Sequence, residues 1–79
     1  MKKYYIYYPR NFANEFCVEI VKPEHEKEFS EFAERVEKDA NADLRRVDYR
    51  TAQRHIAAAR RGAWKDGGRV FASVEIFGE

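Results

Sequence analysis

Between residues 15 and 21 the chain alternates, with Phe16, Val18 and Ile20 on one side and Glu15, Cys17, Glu19 and Val21 on the other. A period of two predicts a strand with one buried face. Residues 69–77 repeat the pattern, with Val70, Ala72, Val74 and Ile76 as the inward set. Residues 3–8, Lys-Tyr-Tyr-Ile-Tyr-Tyr, favour a strand through their aromatics, and Ile6 marks the inward side. Pro9, Asn11 and Asn14 mark the connection after it. The first two strands are therefore expected to form a hairpin with a loop longer than two residues.

From residue 23 the period becomes helical. Pro23 suits a first helical position, where its missing N–H costs nothing. Glu24 and Glu26 favour the positive end of the helix dipole. His25, Phe29, Phe32, Ala33, Val36 and Ala40 fall on one stripe, with Glu24, Lys27, Glu28, Glu31, Glu34, Arg35 and Lys38 opposite. Asn41 suits a left-handed end to this helix. A second helix is predicted from about Tyr49 to Arg61, with Asp48 as N-cap, Val47 stapled against Ala52, and Gly62 as the stop. Its apolar stripe is Tyr49, Ala52, Ile56 and Ala59. Residues 43–47 read equally as a short edge strand or as loop, and Lys65-Asp66-Gly67-Gly68 reads as a turn.

The order β-β-α-α-β predicts an α+β fold built as a two-layer sandwich. A three-stranded antiparallel sheet would carry two helices on one face, with a fourth short strand if 43–47 pairs. The 79 residues are expected to form one small domain, 1–79. Cys17 is the only cysteine, so no disulfide supports the core. Met1-Lys2-Lys3 is basic, but residues 4–8 are too short and polar for the apolar region of a signal peptide. No apolar run approaches the roughly 18 residues of a membrane span. A soluble cytoplasmic protein with no membrane partner is the expectation.

Charge changes the picture locally. Residues 1–40 carry 7 basic and 9 acidic groups (net −2), and residues 41–79 carry 8 and 5 (net +3). Within 45–69 the ratio is 8 to 2. Arg50, Arg54 and Arg61 share one face of the second helix, with Arg45 and Arg46 just before it. Such a surface could meet phosphates or an acidic protein, although solvated arginines are common. The second candidate surface is the sheet face opposite the core. If Ile6 points inward, Tyr5 and Tyr7 point outward with Phe71 and Phe77, around Cys17, Glu19, Val21, Ser73 and Glu75. An exposed face this aromatic usually marks a protein interface. Glu19 and Glu75 would repel a nucleic-acid backbone from it.

Candidate chemistry is sparse. His25, His55 and Cys17 are few and lack ligand spacing, so no metal is expected. Cys17 lies mid-strand, with no helix N-terminus to activate it as a nucleophile. Gly67-Gly68 falls short of a phosphate loop. No constellation meets the requirements of an active site, so neither enzymatic activity nor a cofactor is expected. Small size, absence of catalytic residues and an aromatic, charged surface have the general look of accessory proteins of phages and mobile elements, anti-CRISPR and other anti-defence inhibitors among them. The expected function is protein binding by covering a partner surface, with homodimerisation as one form of it. The alternative is a nucleic-acid-binding module using the arginines of 45–69.

Overall fold

The structure, a computed structural model, describes residues 1–10, 12, 14–39, 42–64 and 67–79. The expectations for Asn11, Ala40, Asn41, Lys65 and Asp66 fall outside the described residues. The elements are β1 (Lys3–Tyr8), β2 (Glu15–Val21), a 3-10 turn (Pro23–His25), α1 (Glu26–Glu37), β3 (Asp43–Val47), α2 (Tyr49–Arg61) and β4 (Phe71–Ile76).

The coarse class is as expected: a small α+β fold with two helices. The sheet differs. It has four strands, not three, in the order β3-β1-β2-β4, because residues 43–47 do pair. It is mixed, not antiparallel: β1 runs antiparallel to β2 and β3, whereas β2 and β4 run parallel.

The helices also depart from the two-layer expectation. They do not share one face of the sheet. On one side α2 covers Ile6, Phe16 and Val18 with Ile56 and Ala58, and Tyr8, Ile20, Val47, Trp64 and Ala72 close around them. On the other, α1 sets Phe29 against Tyr5 (4.4 Å between ring centroids) and Phe32 against Tyr7 (5.8 Å). The topology supplies the reason. The path β2–α1–β3 crosses the sheet toward one edge, and β3–α2–β4 crosses back toward the other. Crossovers between parallel strands are right-handed almost without exception. Two right-handed crossovers travelling in opposite directions must pass over opposite faces.

Local signals were sound. The Asp48 carboxylate accepts the Thr51 N–H at 2.7 Å, and this bond holds its carboxyl below the usual range. Gly62 ends α2 in the left-handed region at φ 68°, its N–H reaching the carbonyls of Ala58 and Ala59. Within the α2 stripe, Ala52 and Ile56 are buried as expected. Tyr49 is not: it sits at the first position of the helix, 63% exposed, edge-on to Tyr4.

Candidate functional site

The aromatic face expected to meet a partner is filled by the protein itself. Tyr5 and Tyr7 are half-buried, because their rings pack on Phe29 and Phe32 of α1. Phe77 closes the same cluster, 5.1 Å from Phe29 and 5.8 Å from Phe32. Only Phe71 of the four stays open, 56% exposed, with the Arg69 guanidinium 5.1 Å from its ring centre. Four expected contact residues thus divide into three that build a second apolar layer and one at the sheet margin.

That margin is β4. It pairs with β2 alone, and among the described residues no strand occupies its other edge. The N–H of Phe71 bonds to Asn14 and that of Phe77 to Ile20. Backbone groups alternate sides along a strand, so Ala72, Val74 and Ile76 direct theirs to the open edge. Val74 and Ile76 lie on the expected inner face but are 37% and 39% exposed. The line of α2 explains this: it starts beside Tyr4 and reaches Phe16 and Trp64 through His55, leaving that corner uncovered.

The arginines are exposed as expected, at Arg45, Arg46, Arg50, Arg54 and Arg61. They do not all share one side. Arg45 pairs with Ile6, on the α2 side, where its Nε donates to Asp43 at 2.7 Å. Arg46 pairs with Tyr5, on the α1 side. The histidines are apart from Cys17: His55 lies on the α2 side between Thr51 and Tyr8, and His25 faces Glu28 at 3.5 Å.

One grouping escaped the reading of the sequence. On the α1 side, parallel pairing sets Cys17 opposite Ser73 and Glu19 opposite Glu75. Glu19 is 3% exposed. Burial, then the neighbouring Glu75, raises its carboxyl from 4.5 to about 7. Burial pushes the Cys17 thiol up to about 12, so it is a poor nucleophile. Alternation alone showed that each glutamate shared a face with Cys17 or Ser73. Their meeting depends on β2–β4 adjacency, which no local signal carries.

No family model, curated protein or solved structure matches this chain. No helix among the described residues is long and apolar enough to cross a membrane.

Proposed function

We propose that the protein is a small non-enzymatic protein-binding module whose contact surface is the open edge of β4. The observation that carries this reading is the strand itself. Its outward backbone groups have no strand partner among the described residues, and Phe71, Val74 and Ile76 are each more than a third exposed beside them. Natural proteins protect long apolar edges from pairing. An edge left open and apolar fits a partner that adds a strand, with backbone hydrogen bonds giving affinity and side-chain contacts giving specificity. The partner is a protein of unidentified sequence or a second copy of the chain. An inhibitor of the anti-defence kind would use the edge to mask a surface of its target.

Val74→Pro tests the reading. Proline removes an N–H that points away from β2, so the inner ladder remains. Affinity capture with wild-type and Val74→Pro protein, followed by binding measurements on the purified partner, should show loss of binding in the variant. Size-exclusion chromatography over a concentration series checks the homodimer in the same pair of proteins. A partner held equally by Val74→Pro and by Phe71→Ser/Ile76→Ser would place the contact elsewhere. Binding to mixed-sequence RNA or DNA that weakens log-linearly with salt and vanishes on Arg50, Arg54 and Arg61→Gln would establish the nucleic-acid alternative instead.

A further inference from the structure

The β2–β4 seam holds an arrangement that core packing does not explain. Like charges directly opposite each other destabilise a sheet. A buried carboxylate with an unsatisfied oxygen is costlier still. Yet Glu19 stands opposite Glu75, is 3% exposed, and has a buried Oε2 with no hydrogen-bond partner. Its Oε1 accepts from the Cys17 thiol at 3.6 Å. The Cys17 Sγ and one carboxylate oxygen from each glutamate all lie within 4.8 Å of one another. We propose that Cys17, Glu19 and Glu75 bind a divalent transition-metal ion of the zinc class.

The dimensions fit. Three points no more than 4.8 Å apart lie within 4.8/√3, about 2.8 Å, of a common centre. Zinc bonds sulfur at about 2.3 Å and carboxylate oxygen at about 2.0–2.2 Å. An inward shift of less than about one ångström by each donor therefore closes the site. Glu75 is exposed and free to make it by side-chain rotation.

The donor set is selective. Thiolate favours zinc and its neighbours over magnesium and calcium, which prefer oxygen throughout. Ser73, across the ladder from Cys17, adds a hydroxyl beside the sulfur that can orient it. A groove of about 290 Å³, with Tyr7, Cys17, Phe71 and Ser73 in its walls, leads from solvent to the thiol. It brings solvent to the cysteine side of the site. On binding, the thiol proton and any proton held between the two carboxyls leave to solvent, and bonds to the metal replace them. The buried Glu19 oxygen gains a cation, and the repulsion between the two carboxylates becomes shared coordination. This site faces α1 and does not depend on the protein-binding reading.

Co²⁺ is the first probe, because a thiolate ligand gives it a ligand-to-metal charge-transfer band. Reduced full-length protein titrated with Co²⁺ should bind one ion per chain with that band, and Zn²⁺ should displace it. Cys17→Ser should remove the band. Glu75→Gln, at an exposed position that leaves the core intact, should weaken Zn²⁺ binding at least tenfold by calorimetry. Glu19→Gln should weaken it similarly, with circular dichroism confirming the fold. A protein that shows no thiolate band in excess Co²⁺ would overturn the proposal, and the two carboxyls would then hold only a proton. Zn²⁺ affinity unchanged in both glutamine variants would overturn it equally, by locating the ion elsewhere.

Discussion

Replacing Phe29 with alanine should remove a large part of this protein's stability. Phe29 is the buried ring of α1, 3% exposed, and it touches three others: Tyr5 at 4.4 Å, Phe77 at 5.1 Å and Phe32 at 5.5 Å. Truncating a buried phenylalanine costs roughly 3–5 kcal/mol, through lost transfer energy and the cavity left behind. At roughly 0.05–0.15 kcal/mol per residue, 79 residues have about 4–12 kcal/mol to lose. The expected fall in melting temperature is therefore well over about 10 °C, at roughly 4–8 °C per kcal/mol for a domain of this size. Phe29→Leu keeps most of the apolar area and loses the ring–ring geometry, each aromatic pair contributing about 0.5–1.5 kcal/mol beyond area. It should fall between wild type and alanine. Phe32 is only partly buried, so Phe32→Ala should cost less than Phe29→Ala.

Urea unfolding followed by far-UV circular dichroism gives these differences, and two local probes divide them by layer. Trp64, the only tryptophan, packs on Phe16 and His55 on the α2 side. Cys17 lies on the α1 side, opposite Tyr7. In conditions where Phe29→Ala still folds, Cys17 should label faster with a thiol reagent while Trp64 fluorescence stays native. A Phe29→Ala protein within about 1 kcal/mol of wild type, with Cys17 labelling unchanged, would refute a second core beneath α1.

Three further outcomes are expected. Because burial and Glu75 raise Glu19 from 4.5 to about 7, the folded metal-free chain holds a proton that the unfolded chain has released; stability from this group is present below about pH 4.5 and is lost as pH rises through about 7. Urea midpoints measured with a chelator should show this decline in wild type and a flatter profile in Glu19→Gln; parallel profiles would show that Glu19 does not titrate there. Gly78 has φ 86°, and a Cβ there would lie 2.9 Å from the His25 ring, so Gly78→Ala should lower stability by at least about 1 kcal/mol, and an unchanged midpoint would contradict the close approach. Removing Arg50, Arg54 and Arg61 together, as glutamines, should leave the melting temperature nearly unchanged, since all three are exposed; a large drop would mean that they hold the fold.

What the sequence determined by itself is local. Alternation located β2 and β4, β-favouring aromatics located β1, and the helical period located α1 and α2, because each signal reports one element's own geometry. The Asp48 cap and the Gly62 stop were legible for the same reason: each acts within one turn of its own residue. Tertiary structure decided everything that depends on which elements meet. Alternation assigns residues to two faces but does not say which face is covered, so Tyr5, Tyr7 and Phe77 read as an open surface when they form a second core under α1. The pairing of β4 with β2 follows from two opposed crossovers, and no residue in either strand encodes its partner. That pairing alone brings Glu19 to Glu75, next to Cys17, and leaves the outer edge of β4 without a strand partner among the described residues. The candidate interface lies on β4 and the candidate metal site spans β4 and β2, two strands far apart along the chain whose register only the folded topology sets.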